Sequence, residues 1–217
     1  MKNTFAMIFP SGEDFERIGM ARGWKTPYCI VVAGTSLLAW LKSCLRTWSV
    51  AADIGMLAAS VVSMSISLLI VWSLLTLLLY LFLIFFNSPK RISYRKLFSL
   101  VSFCGMIFLI GEMANFILLR IPMLKIRSSV FPNRFPIGLD LFWVGGHPSL
   151  PLAIFMHSIN PIVIWYCATL SLGLHKIAGV SKMNAGLVVA SLWALGVGSV
   201  ALITSVLGGT TIGIKIG

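Results

Sequence analysis

Charged residues are scarce in this chain of 217 residues, and acidic residues are the scarcest among them. Asp and Glu together number 6, charged residues make up 11% of the sequence, and hydrophobic residues make up 58%. The mean hydropathy is +0.96. A water-soluble domain could not bury that much apolar surface while keeping polar groups outside. The shortage of charge therefore excludes a soluble domain and predicts a protein of the lipid bilayer.

Cysteine and histidine are also few, and their spacing predicts no metal site. The 4 cysteines contain no C-x-x-C pair, and the 3 histidines show no H-x-x-x-H spacing. There is likewise no G-x-S-x-G turn for a serine nucleophile and no phosphate-binding loop with its lysine. We therefore predict a protein without catalytic residues, metal or cofactor.

Basic residues are the common charge, since Lys and Arg number 17 and give a formal net charge of +11. Nearly all of them lie in short connectors beside apolar runs, where cations bind phosphate head groups. The sequence has no basic face with interleaved aromatic residues, so we expect no nucleic-acid partner. The densest cluster either binds anionic lipid or an acidic partner, or only anchors the neighbouring helices. It contains Lys90, Arg91, Arg95 and Lys96.

Long apolar runs, in contrast, are abundant, and they predict an all-α, polytopic membrane protein with five transmembrane helices. About twenty apolar residues cross roughly 30 Å of hydrocarbon. The first run has roughly 15 residues and needs the lysines at its ends to extend outward, whereas the second is long enough to tilt, bend or protrude. The runs cover approximately residues 27–41, 54–86, 97–119, 149–174 and 185–207.

A polar segment of residues 1–26 precedes the predicted five-helix domain of residues 27–217. Ser11 and Asp14 fit a capping box, which predicts a short helix on the membrane surface. With five crossings, a cytoplasmic N-terminus places ten Lys and Arg in the cytoplasm against seven on the other side. Because cytoplasmic connectors carry the excess of cations, we predict that the N-terminus is cytoplasmic.

Small residues recur at every fourth position in the second and fifth runs. Such stripes let two helix backbones approach closely, which is how helices associate within lipid. Either the two stripes face each other, or they face a second copy or another membrane protein, and the sequence leaves both interpretations open. The stripes comprise Gly55, Ala59, Ser63 and Ser67 in the second run and Gly186, Ala190, Ala194 and Gly198 in the fifth.

Glu112 and Asn115 are polar residues inside the third run, and their spacing of three places them on one helix face. An acid at that depth is costly and needs a partner. One hypothesis is a proton or cation pathway lined by both residues together with His157 and Asn160 of the fourth run. The other is a structural hydrogen bond between Glu112 and a neighbour, with Asn115, His157 or Asn160 as the partner.

Asn160 is followed by Pro161 in the fourth run, and the pair has two structural interpretations. In the first, one helix begins with Ser149 as its cap, continues to Leu174, and is kinked where Pro161 removes a backbone donor. In the second, Asn160 caps a new helix with Pro161 at its first position. In both, the pair serves helix construction without a ligand.

The segment INPIVIWYCATLSLGL, residues 159–174, resembles the N-P-F-x-x-W-x-x-x-L-x-x-x-G type of segment in the YIP1 domain family, with Ile162 in place of the usual phenylalanine. Two further stretches agree with this family. FPSGEDFERI followed by GWKTP is similar to its cytosolic lead-in, and ISYRKLFSLVSF is similar to the entry to its third helix. The matching positions are Pro10, Phe15, Trp24, Pro27, Asn160, Pro161, Trp165 and Gly173.

This resemblance implies a five-helix integral membrane protein that acts without catalysis, as an adaptor or scaffold, by associating with itself or with other membrane proteins. Eukaryotic relatives act in vesicle trafficking with small GTPases. The compact form without a long cytosolic arm looks more like the bacterial members, which implies the inner membrane. The alternative function, drawn from the residues, is a permease or transport accessory subunit with a polar pathway around Glu112.

Overall fold

A computed structural model of the chain describes residues 24–47, 54–85, 92–118, 138–139 and 149–211. Within these ranges the regular structure is helical, which confirms the predicted all-α class. The predicted surface helix near Ser11 and the proline-containing connector between the third and fourth runs lie mostly or wholly outside them. The helices are α1 (Lys25–Thr47), α2 (Ile54–Phe85), α3 (Tyr94–Leu118), α4 (Leu150–Ser158), α5 (Pro161–Ala178) and α6 (Lys182–Thr211).

Four of these helices are long and apolar enough to cross a membrane. They contain the stretches Leu57–Phe85 of α2, Tyr94–Leu118 of α3, Pro161–Ala178 of α5 and Lys182–Ser205 of α6. Helix α1 has 23 residues but is not among the four by length and composition. The described residues thus support an integral, multi-pass membrane protein with four candidate spans, compared with the five predicted.

Helix α1 is longer than its apolar run. We predicted a crossing that ends near Leu41, whereas the helix continues to Thr47. Lys42, which was predicted to bound the run, therefore lies within the helix one turn before its end. Because the helical backbone holds its own hydrogen bonds whether or not the side chains are apolar, the loss of hydropathy does not end the helix.

The fourth run is two helices and not one kinked helix. Helix α4 ends at Ser158, and Asn160 caps α5: its Oδ1 accepts a hydrogen bond from the backbone N–H of Val163 at 2.9 Å. Pro161 is the first residue of α5, where no backbone donor is needed. The continuous-helix interpretation is therefore wrong. Ser149 does precede α4, but its side chain makes no capping hydrogen bond.

Helix α3 lies at the centre of the bundle and contacts α1, α2 and α5. Its side chains are buried over most of its first half, and Leu97, Leu100, Val101 and Cys104 are fully buried. The order α3, α5, α6 then continues the bundle, with α4 packed across α6. Every other described helix therefore takes its position directly or indirectly from α3.

Three glycines allow the helices around α3 to approach closely. A Cβ atom added at Gly34 of α1 would lie 2.7 Å from Leu109 Cδ1, and one added at Gly111 would lie 2.8 Å from Ile162 Cγ2 of α5. A Cβ at Gly105 would overlap the indole of Trp72 on α2. The absence of these side chains supplies the close backbone contact that stabilises helix pairs in lipid.

A short turn joins α5 to α6. Gly179 ends α5 with a φ angle of 70°, a left-handed conformation that glycine adopts without strain, and its N–H donates to the carbonyl of His175. Ser181 Oγ accepts a hydrogen bond from the N–H of Asn184 at 3.1 Å in the first turn of α6. Both helix ends at this turn are thus capped. Because the connection is short and the two helices contact each other, α5 and α6 form an antiparallel pair.

Candidate functional site

Two regions of the bundle carry groups that suit function: an ion pair between α1 and α3, and a cavity between α2, α3, α5 and α6. The ion pair joins Lys42 Nζ to Glu112 Oε2 at 3.0 Å. The two side chains are 39% and 42% exposed, so neither is sealed within the protein. Pairing offsets the cost of holding either charge beside apolar segments.

Our prediction of the partner of Glu112 was wrong. We expected Asn115, His157 or Asn160, whereas the partner in the structure is Lys42, which lies 70 positions earlier in the sequence. The reason is geometric: α1 runs beside α3 and brings its last turns to the level of Glu112. Lys42 was missed because we assigned it to the boundary of a run, where lysine usually extends toward head groups.

The other three polar candidates lie where α3 meets the start of α5. Asn115 is buried and follows Gly111, the contact point with α5, by one helical turn. Asn160 is buried as well, and both ends of its amide make hydrogen bonds at the break between α4 and α5. Its Oδ1 caps α5, and its Nδ2 donates to the carbonyl of His157 at 2.8 Å. His157 is half-buried in the last turn of α4. Asn160 thus has a structural role.

A cavity of about 280 Å³ lies between the helices near the middle of the candidate spans. Its lining is almost entirely apolar, and none of the four predicted polar candidates belongs to it. The hydroxyl of Ser158 at one end already donates to the carbonyl of Ile154 at 2.7 Å. The lining includes Leu75, Phe108, Tyr166, Leu170, Trp193 and Gly196. The sequence did not predict this cavity, because the residues that line it are ordinary core residues.

An aromatic cluster fixes the beginning of α1 against α2 and α3. It consists of Trp24, Tyr28, Trp72 and Phe98. The ring of Trp24 meets Phe98 edge-on at 5.1 Å between centroids, and Tyr28 meets Trp72 in the same way at 5.7 Å. The Tyr28 hydroxyl also donates to the carbonyl of Ser65 on α2 at 2.6 Å. This cluster is a structural anchor.

The two small-residue stripes are on the surface and do not pack against each other. All four residues of the α2 stripe are exposed, and so are three of the four on α6, where Gly186 is half-buried. The exposed residues are Gly55, Ala59, Ser63 and Ser67 on α2 and Ala190, Ala194 and Gly198 on α6. A Cβ added at Gly55, Gly186 or Gly198 would meet no atom within 4 Å. A Cβ added at Gly34, Gly105 or Gly111, in contrast, would overlap a side chain of another helix.

The basic cluster is described only in part. Arg95 and Lys96 are exposed in the first turn of α3, whereas Lys90 and Arg91 lie outside the described residues. The described part of the cluster thus places two cations at the end of a candidate span, which is where Lys and Arg bind lipid head groups.

The positions that match the family segment have structural places in the bundle. Pro27 is buried in the first turn of α1, Trp165 packs against the core, and Gly173 is buried in α5. Asn160 and Pro161 begin α5. Pro10 and Phe15 lie outside the described residues. Asn160 and Pro161 thus start the helix that packs against α3.

Comparison with known proteins agrees with this motif. A search of curated proteins and a search of solved structures each found no match. The family model for the Yip1 domain matches residues 5–203, which include α1 to α5 and most of α6. A match over so much of the chain, together with apolar helices of spanning length, identifies it: the chain belongs to the Yip1 domain family and is a multi-pass membrane protein.

Proposed function

We propose that this protein is a non-catalytic membrane adaptor or scaffold, which associates within the bilayer with copies of itself or with other membrane proteins. The association surface in this proposal is the α6 stripe, defined by Gly186, Ala190, Ala194 and Gly198. The observation that carries the proposal is the open space beside Gly186 and Gly198, where no heavy atom lies within 4 Å of an added Cβ.

The bundle itself supports this use of the α6 stripe. Where α3 meets its neighbours, glycine removes a side chain and a bulky residue of the next helix fills the space, as Leu109 does at Gly34. The α6 stripe offers the same geometry, and no described residue lies within 4 Å of a Cβ added at Gly186 or Gly198. Because apolar burial gives little driving force between helices in lipid, close packing on such stripes is an effective way to associate.

We also propose that α1 is the fifth crossing and that the N-terminal end of the bundle faces the cytoplasm. Helix α1 and the residue that precedes it contact α3 at three successive levels. The contacts join Trp24 to Phe98, Gly34 to Leu109, and Lys42 to Glu112. A helix that accompanies a span along its length lies at the same depth as that span. The excess of Lys and Arg on the N-terminal side supports the orientation.

In this orientation, the cluster of Lys90, Arg91, Arg95 and Lys96 faces the cytoplasm. We propose that it binds anionic lipid head groups. The exposed side chains of Arg95 and Lys96 at the start of α3 support this, because each cation near a negatively charged leaflet contributes about 1 kcal/mol of attraction. If the host is bacterial, the membrane is the inner membrane.

The substitution Ala194→Leu tests the association surface. A leucine side chain on the α6 stripe would hold a partner helix away from the backbone, so we expect weaker association, measured by chemical cross-linking in native membranes and by the size of the complex in mild detergent. Residue 194 is exposed, so the fold of the bundle should be unaffected.

Ala168→Leu is the matched control, because it adds the same side chain to an exposed position of α5 that lies outside the stripe. Cross-linking in this variant should equal that of the unmodified protein. If Ala194→Leu also leaves cross-linking unchanged, the α6 stripe is not an association surface and the proposal fails.

A further inference from the structure

The cavity between α2, α3, α5 and α6 lies at the depth of the hydrocarbon. Its lining residues Leu75, Phe108 and Trp193 are each close to the middle of a candidate span. Water is not available to fill a space at that depth, and apolar cavities stay dry even in soluble proteins. An unfilled cavity forfeits the contacts that its lining atoms would otherwise make, so an apolar occupant stabilises the bundle.

The chemistry of the lining selects an uncharged occupant. No Asp, Glu, Lys or Arg lines the cavity, and most of its surface comes from aliphatic and aromatic side chains. The hydroxyl of Ser158 is already committed to the carbonyl of Ile154. A charged head group inside would find no side chain of opposite charge in the lining and would be strongly disfavoured.

The cavity opens beside Gly196. This residue of α6 is exposed, and a Cβ added to it would meet no heavy atom within 4 Å. Helices α2 and α6 touch over only a short stretch, which leaves the space between them open toward lipid. Gly196 is two positions from Gly198 and therefore points to nearly the opposite side of α6 from the α6 stripe.

We propose that this cavity binds one hydrocarbon chain of a bilayer lipid, whose head group stays outside. Its volume of about 280 Å³ lies just below the range for small-molecule pockets, which suits part of a single chain and not a whole lipid. The walls of this site are Tyr166 and Leu170 of α5 and Trp193 of α6. The site is separate from the α6 stripe, so it does not depend on the proposed association.

Photolabelling tests the site. The full chain is reconstituted in phosphatidylcholine vesicles that contain a phosphatidylcholine with a diazirine on one acyl chain, irradiated, digested and mapped by mass spectrometry. Tyr166 is 9% exposed and Leu170 is 1% exposed, so a chain in bulk lipid has far less access to them than a chain in the cavity that they line. We expect adducts on both. Adducts confined to outward residues such as Leu195 and Ile203 would overturn the proposal.

Gly196→Phe and Gly198→Phe form a matched pair on α6. The first places a ring at the mouth of the cavity and should lose the adducts on Tyr166 and Leu170, while the second places the same ring on the α6 stripe and should keep them. Retention of these adducts in Gly196→Phe overturns the proposal. If that variant does not fold, Val197→Phe fills the cavity from a half-buried lining position and decides by the same adducts.

Discussion

At the scale of single residues, Glu112 shows how an acid is accommodated in an apolar helix. Its carboxylate lies 3.0 Å from the ammonium of Lys42, and the two side chains are 42% and 39% exposed. An isolated charge at the same place would lose hydration without any compensation. The pair therefore accounts for Glu112 by tying α1 to α3.

A double-mutant cycle on Lys42→Met and Glu112→Gln measures this tie. Either single substitution leaves one charge without its partner, whereas the double variant removes both. We expect a favourable coupling of about 0.5–1 kcal/mol, a range set by the partial exposure of both side chains. Reversible unfolding in mixed micelles measures the free energies. The control cycle pairs Glu112→Gln with Lys96→Met at the other end of α3, where the two losses should be additive. Additive losses in the Lys42–Glu112 cycle would show that this ion pair does not stabilise the bundle.

At the scale of elements, the break between α4 and α5 is made by one side chain. Asn160 satisfies a backbone donor of α5 through Oδ1 and the carbonyl of His157 through Nδ2. Pro161 is compatible with either a kink or a new helix, so proline alone does not decide between them. The asparagine decides, because it gives the new helix end a partner that a continuous helix would not need.

Asn160→Ala is expected to destabilise the bundle by about 1–2 kcal/mol, since the cap of α5 and the hydrogen bond to His157 are both lost. Unfolding in mixed micelles and the loss of helical circular dichroism measure the effect. Asn160→Ser keeps a side-chain acceptor for the N–H of Val163 without placing a charge beside the carbonyl of His157, so it should be more stable than Asn160→Ala. If serine destabilises the protein as much as alanine does, the cap is not the source of the loss.

The lengths of the helices were largely predictable, and the contacts between them were not. We predicted the second, third and fifth runs at 54–86, 97–119 and 185–207, and α2, α3 and α6 begin and end within about four residues of these limits. An apolar run sets the length of a span, but helices that are apolar all round show no face that must turn inward. Two contacts depend on how each helix is rotated about its own axis, which the apolar pattern does not determine. They are the contact of Gly105 with Trp72 and that of Lys42 with Glu112.

At the scale of the whole molecule, the position of α1 decides the topology. Composition separates α1 from the four candidate spans, but its contacts with α3 begin at Trp24, pass Gly34 and end at Lys42. The matching residues on α3 occur in the same order, so the two helices are parallel. A helix lying flat on the membrane surface could not contact a span in this sequence of levels. We therefore expect α1 to cross beside α3.

Single cysteines at the helix ends test this topology in a background that lacks the 4 native cysteines. With an impermeant thiol reagent, Thr26→Cys and Ser93→Cys should be labelled from one side of the membrane and Thr47→Cys from the other. Ser181→Cys is the control. Helix α5 is antiparallel to α3, as the contacts Gly111–Ile162 and Phe108–Tyr166 show, so position 181 shares the side of Ser93 whether or not α1 crosses. If positions 26 and 47 are labelled from the same side, α1 does not cross the membrane.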